Sequence, residues 1–515
     1  MTFVKKYIFE IILIVVLIVL TLAFYSPMFA YQEGLQIFMF NREFFVDTVL
    51  RPGGLCDYIG SFFVQFFMYT HYLIIILILF SLAVYVLIKK LFGFLSAVLS
   101  AVAMIGLFFS FNVMFGAEIA ILLSLLAVKI TCFTKNIFVL STLSIVIYFF
   151  LGGLGCLIFI LGVFTKTNWK VMLASGLVLV FSCLITKNIM QDDGLSAVFT
   201  GVDFNRYPEN ICYAFWAAFA MIVLSEVLPL KKIESKKLKA VVISLSSIFW
   251  IAFLYSNYDW QRMLFYKVDK MVRYKQWDNI ISCLEGKKIS DPLIQCYLNM
   301  SLNERGIMDS KMFNFSQSDV NGLYSVSVDS QRKSIVNCEI YFRLGIVNIA
   351  ERLAIDSHES NNTFQKSARQ YKRLAEIAIV KNDKPLAIRY LNKLISTTFY
   401  SSWAKEALRY IQNPEANSGL ADWKIKPVKG SFEFFFNPSY KSEFFFYLLG
   451  NDQQNRKLFN YYTCSLLLEK KVSSLYNFIS QCNLEKPVGV HVYEGIGIFT
   501  QKYTPKGSYN DFYKK

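Results

Sequence analysis

Between two long apolar runs, the stretch from Leu230 to Lys239 carries five lysines and one glutamate in ten residues. Upstream the chain is mostly compatible with hydrocarbon. Beyond the next apolar run it reads as ordinary soluble protein. The side of a membrane on which these lysines sit therefore sets the topology of the whole chain.

Composition supports a division between two solvents. The 515 residues are 55% hydrophobic and 17% aromatic, with a mean hydropathy of +0.41, which is too apolar for a chain wetted throughout. Residues 1–256 hold 17 Lys+Arg and 12 Asp+Glu, and residues 257–515 hold 36 and 25. We take 1–256 as a transmembrane domain and 257–515 as an extracytoplasmic helical domain. The net charge of +16 suits lipid head groups and orientation signals better than nucleic acid, which is not expected as a partner.

Ten cysteines include no CxxC pair, and His71, His358 and His491 lie far apart, so neither a metal nor another cofactor is expected. Five cysteines fall in the tail, an odd number that implies no disulfide framework.

Apolar runs occupy Ile8 to Phe24, Tyr72 to Ile88, Leu91 to Phe109, Phe115 to Leu126, Ile137 to Phe164, Val171 to Thr186, Ile211 to Leu228 and Ala240 to Tyr255. The first resembles a signal peptide, but its length and the poor cleavage site after it favour a retained span. The run from Ile137 to Phe164 is uncharged for 28 residues, long for one crossing. Gly152, Gly153 and Gly155 in its middle permit a break or a re-entrant hairpin. Lys5/Lys6, Lys89/Lys90, Lys129/Lys135, Lys166/Lys170 and the five lysines of 230–239 all fall on the cytoplasmic side if this run crosses twice. The expectation is nine crossings, the N-terminus inside and the tail outside. Glu118 and Glu226 sit near span ends, where a carboxylate reaches the interface; the alternative is a proton or ion relay.

The tail is patterned for helices. Apolar residues recur at helical spacing from Val268 to Leu284, followed by Gly286. A second helix opens at Pro292 and ends near Gly306. Tyr371 to Leu394 occupies six of eight class positions of a tetratricopeptide repeat, with a turn from Lys381 to Pro385. Arg456 to Ile479 is a third candidate, Asp422 to Asn437 a connector and Gly507 to Lys515 a loose terminus. The fold class expected is all-α: a polytopic helix bundle followed by an α-solenoid.

Three phrases carry a family resemblance: Arg51 to Tyr58 followed by Phe62 to Phe66; Tyr297 to Gly306 with Met312, Phe313 and Gln317; and Ser367 to Glu376 with Tyr390, Leu391, Phe399, Tyr400, Trp403 and Ala404. Together with Pro487 to Glu494 they resemble an uncharacterised family of bacterial multi-pass membrane proteins with a tetratricopeptide-like C-terminal domain. The resemblance implies architecture and a location in the bacterial inner membrane, not chemistry.

Three functions stand side by side. One is a non-enzymatic envelope protein, anchored in the bilayer, whose solenoid binds a protein or peptide. The second is a membrane glycosyltransferase using a lipid-linked sugar. Asp47 or Asp57 would then be the general base, Arg51 or Arg206 would hold the donor phosphate, and Glu33 and Asp203 would line the substrate site. The third is a transporter, motivated by Glu118, Glu226 and the glycines of 152–155. No P-loop or dinucleotide fingerprint is present.

Overall fold

A computed structural model describes residues 7–111, 113–189, 195–200, 213–325, 327–360, 366–413, 425–428, 441–452, 454–482, 488–501 and 507–514. Among these residues the regular structure is helical, as expected, and no strand occurs. The chain divides into two compact units. The first is Met1–Asp259 with Ser396–Phe399, and the second takes most of the chain from Trp260 onward.

The first unit begins with α1, Ile8–Glu33, which is continuous through a π-turn at Thr21–Tyr25. Then come α2 (Arg42–Val49), α3 (Gly54–Val64), α4 (Thr70–Leu91), α5 (Phe94–Phe108), α6 (Phe115–Val128), α7 (Ile137–Phe164), α8 (Trp169–Ile189), α9 (Leu195–Thr200), α10 (Tyr213–Val227) and α11 (Lys236–Ser256). Among the described residues six helices are long and apolar enough to cross a membrane: α1, α4, α6 with its short extension to Cys132, α7, α8 and α11. The outer faces of these helices are apolar: Leu245, Ile248 and Ile251 of α11 and Leu177 and Phe181 of α8 are each about 60% exposed. Such surface suits a hydrocarbon surrounding.

Inside α7 the helix is interrupted. Gly152 adopts φ 75° and ψ 171°, a conformation closed to residues with a Cβ. The two halves fold back on each other, because Cys156 Sγ lies 3.4 Å from the Ser144 carbonyl oxygen, twelve residues earlier. A straight helix would separate them by about 18 Å.

Chain direction and side-chain contacts define the ends of this bundle. Lys89, at the C-terminal end of α4, pairs with Glu10 at the start of α1, 3.1 Å away. Lys166 and Lys231 both donate to the Leu91 carbonyl, so three basic segments meet at one end. The other end holds Glu33, α2, α3 and the turn at Gly152; there the Gly53 N–H donates to the Phe149 carbonyl (2.9 Å). Glu118 and Glu226 do not reach an interface as expected. Both are buried among the helices, at 2% and 3% exposure, with carboxyl oxygens lacking a hydrogen-bond partner.

The second unit is built from a repeated turn. Its helices are α12 (Trp260–Arg273), α13 (Trp277–Leu284), α14 (Pro292–Glu304), α15 (Met308–Lys311), α16 (Gln331–Leu344), α17 (Val347–Glu359), α18 (Ala368–Val380), α19 (Lys384–Ile395), α20 (Ser401–Gln412), α21 (Lys441–Asn451), α22 (Arg456–Leu468), α23 (Val472–Gln481), α24 (Val490–Thr500) and α25 (Ser508–Lys514). Lys275, Gly306, Gly345, Asn382 and Lys470 each have positive φ. At each, two N–H groups return to the preceding helix: Lys275 to Val272 and Gln276 to Met271, Gly306 to Asn303 and Ile307 to Leu302, and likewise at Gly345, Asn382 and Lys470. This is the Schellman cap. In all five, the next helix starts two residues after the positive-φ residue, giving the hairpins α12–α13, α14–α15, α16–α17, α18–α19 and α22–α23.

One expected helix is therefore split: Val268 to Leu284 breaks at Lys275, because a left-handed residue ends an α-helix. Arg456 to Ile479, expected as a third repeat candidate, turns at Lys470 into the hairpin α22–α23. The expected loose terminus is instead the helix α25. Tyr509 is fully buried, its hydroxyl donates to the Leu467 carbonyl (3.1 Å), and its ring packs on Phe313. Most of the expected connector from Asp422 to Asn437 lies outside the described residues.

Candidate functional site

Asp57 occupies the first turn of α3, and local geometry holds it there. Gly53, at φ 78°, is the N-cap of that helix, and the Asp57 N–H donates to the Gly53 carbonyl (3.2 Å). Gly54 lies so close to Thr48 that a side chain would strike the Thr48 carbonyl. The helices α3 and α6 then meet backbone to backbone. A methyl group on Gly60 would stand 2.8 Å from the Gly116 nitrogen, and one on Gly116 would stand 2.7 Å from Asp57 Oδ1. The Asp57 carboxylate thus rests on the N-terminal turn of α6, where the helix dipole favours negative charge.

Asp57 is 3% exposed, and Arg51 Nη2 lies 3.8 Å from its Oδ2. Arg51 is 22% exposed. Glu118 sits on the same turn of α6, and Gln36 Nε2 lies 3.2 Å from Met114 Sδ just before it. A layer of rings borders this end: Phe38 packs on Tyr58 and Phe62, and Phe45 on Tyr58. Phe40 and Phe45 remain exposed.

The other residues singled out in the sequence separate into three groups. Glu33 is buried at the end of α1. Asp47 is exposed on α2. Asp203 and Arg206 lie outside the described residues. What the sequence did not reveal was the glycine pair Gly60 and Gly116. Each stands in an apolar run with no spacing motif to mark it.

The second unit holds a different cluster. Asp269 of α12, Tyr297 of α14, Glu339 of α16 and Arg369, Arg373 and Glu376 of α18 form one buried network. Arg369 makes two hydrogen bonds to Asp269 (2.8 and 2.9 Å), and the Tyr297 hydroxyl donates to Asp269 Oδ1 (2.8 Å). Arg373 reaches Glu339 and Glu376, each at 2.7 Å. Burial alone would raise the pKa of Glu339, but Arg373, then Arg369 and Arg343, hold it below the usual carboxylate value. These residues all lie on the first helices of their hairpins.

Among the described residues no three His, Cys, Asp or Glu side chains gather as a metal site. The described residues form an all-helical protein with a set of helices apolar enough to span a membrane. The chain belongs to a Family of unknown function (DUF6057), which it matches over residues 2–512. No curated protein and no solved structure matches it.

Proposed function

We propose that this is a multi-pass protein of a bacterial inner membrane. Its N-terminus is cytoplasmic, its chain makes nine passes with the α7 hairpin counted as two, and its tetratricopeptide-like unit lies outside. The gathering of Lys89, Lys166 and Lys231 at one end of the bundle supports this orientation. The fold-back at Gly152 supports the parity, because a hairpin returns the chain to the side it left.

In this reading the activity resides at the opposite, outer end, and the reaction is glycosyl transfer from a lipid-linked sugar. The observation that carries it is the buried Asp57 carboxylate paired with the partly exposed Arg51 side chain, beside a border of exposed rings. Arg51 holds the donor phosphate. Asp57 takes the proton of the acceptor hydroxyl as its oxygen bonds to the sugar carbon and the lipid phosphate leaves. Asp47, exposed on α2, is set aside as the base.

The test uses the full chain in detergent with polyprenyl-phosphate-linked sugars, following release of the polyprenyl phosphate. Asp57→Asn and Arg51→Gln are expected to lose turnover, while Asp47→Asn keeps it. Turnover unchanged in both Asp57→Asn and Arg51→Gln removes the reading.

A second reading concerns a protein or peptide partner for the outer unit. Tyr476 and Phe499 pack with ring centres 5.1 Å apart on α23 and α24, both exposed, with exposed Tyr493 also on α24. This surface, away from the buried ion pairs, favours a partner that docks aromatic side chains. Cross-linking from position 493 in native membranes should capture one defined protein; an unchanged single band would discard this reading.

A further inference from the structure

The Leu91 carbonyl, at the C-terminal end of α4, accepts a hydrogen bond from Lys166 Nζ at 2.6 Å and another from Lys231 Nζ at 3.0 Å. The two ammonium groups therefore stand within about 6 Å of each other. The two lone pairs of the carbonyl can take both. Bringing in the second sets two like charges together, at a cost that rises as water is excluded.

The arrangement is nonetheless built into the backbone. Gly93 has φ 104°, and the stem of Lys231 lies across it: a methyl group there would stand 2.9 Å from Lys231 Cγ. Lys166 Nζ sits over the Phe92 ring, 5.0 Å from its centre. Phe92 and Leu91 are buried, so the floor under the two lysines is fixed. Among the described residues neither ammonium has a carboxylate within ion-pair distance. Burial, then the charge of Lys231, lower the pKa of Lys166. Two ammonium groups carry six N–H donors, and the shared carbonyl answers two of them.

We infer that Lys166 and Lys231 form a binding site for a phosphate group, which bridges the two ammonium groups at the basic end of the bundle. A phosphate presents several acceptor oxygens and the negative charge that the pair lacks. Lysine clusters between helices at this level of a bilayer hold anionic lipid head groups. A soluble phosphate ester satisfies the same donors. This inference does not depend on the transfer chemistry assigned to Asp57, which lies at the other end of the unit.

The test compares the full chain in nanodiscs of phosphatidylcholine alone, in nanodiscs containing phosphatidylglycerol, and in neutral detergent with and without inorganic phosphate. Native mass spectrometry reads retained lipid, and thermal unfolding reads stabilisation. Retention of phosphatidylglycerol over phosphatidylcholine assigns the site to a lipid. Stabilisation by inorganic phosphate without lipid preference assigns it to a soluble ester. In Lys166→Gln and Lys231→Gln the effect weakens roughly fivefold per lysine, while Lys237→Gln on the exposed helix face changes nothing. Two results overturn the proposal: neither probe binding the wild-type protein in preference to phosphatidylcholine, or binding that is undiminished in both Lys166→Gln and Lys231→Gln.

Discussion

Asp269 and Arg369, one hundred residues apart in the chain, are joined by two parallel hydrogen bonds of 2.8 and 2.9 Å, with both side chains buried. The pair links the first hairpin of the second unit to the fourth. Removing one partner leaves a buried charge unanswered, so Asp269→Asn or Arg369→Met should each destabilise this unit by about 3–5 kcal/mol. Replacing both by apolar residues should cost far less than the two single losses together. Hydrogen exchange across Ala368–Val380 and Trp260–Arg273 in the full chain checks this. Additive losses would show that the pair is not a coupled unit.

The five Schellman turns predict substitutions of opposite sign. Lys275 and Lys470 adopt positive φ despite their side chains, which raises their energy relative to glycine. Lys275→Gly and Lys470→Gly should each stabilise the unit by about 0.5–1 kcal/mol. Gly345→Ala should do the reverse and by more, because its Cβ would also stand 2.5 Å from the Lys426 carbonyl oxygen. Chemical unfolding of the three variants against wild type reads both signs in one series.

These turns also show what sequence could and could not reveal. Gly306 and the Lys381–Asp383 turn were visible because glycine and asparagine advertise the left-handed conformation. Lys275 and Lys470 were not, because lysine carries no such signal, and helical periodicity runs unbroken across both. The break in α7 was legible twice over, in its glycines and in the lysines that required the chain to return. The buried state of Glu118 was not, since a carboxylate near the end of an apolar run reads the same whether it faces water or a neighbouring helix. Asp57 stood out as an acid in an outer loop, but the closeness of Gly60 to Gly116 that seats it depends on two runs more than fifty residues apart.

Acid should loosen the second unit through two histidines. His358 and His491 are buried, and burial pushes the pKa of each down to about 4. His491 Nε2 accepts from the Phe313 N–H, 3.4 Å away, which a proton on that nitrogen would abolish. The ordinary value in an unfolded chain is about 6.5, so between these limits the unfolded chain binds more protons. Stability is therefore full above about pH 6.5 and falls as the pH drops towards 4, by on the order of 3 kcal/mol per histidine. Thermal unfolding across this window should show the decline, and His358→Gln with His491→Gln should flatten it.

The approach of α3 to α6 makes two glycine variants distinguishable. Gly60→Val forces side-chain atoms against the Gly116 backbone, which cannot turn aside, and should cost about 1–3 kcal/mol of stability in detergent. Gly116→Ala meets the Asp57 carboxylate instead, which can shift. Its stability should change less, while any function of Asp57 should fall. A thermal shift assay paired with the polyprenyl-phosphate release measurement separates the two. Equal stability loss in both variants would mean that Gly116 serves helix packing and not the carboxylate.

Orientation can be read from single cysteines, because the structure assigns named positions to opposite ends of one bundle. Lys170 follows the α7–α8 turn that carries Lys166, and Lys232 adjoins Lys231; both are exposed at the basic end. Glu43 is exposed on α2, at the end defined by Glu33 and the Gly152 turn. With the native thiols replaced, an impermeant maleimide added to intact cells should label Glu43→Cys and spare Lys170→Cys and Lys232→Cys. Inverted vesicles should give the opposite pattern. A reporter joined after Asp259 should then be extracytoplasmic, since α11 crosses once more from the lysine-rich end. Labelling of 43 and 232 from the same side would break the link between the basic end and the membrane face. Opposite sides with the reporter inside would mean that α11 lies along the surface, and that the second unit shares the compartment of the lysines.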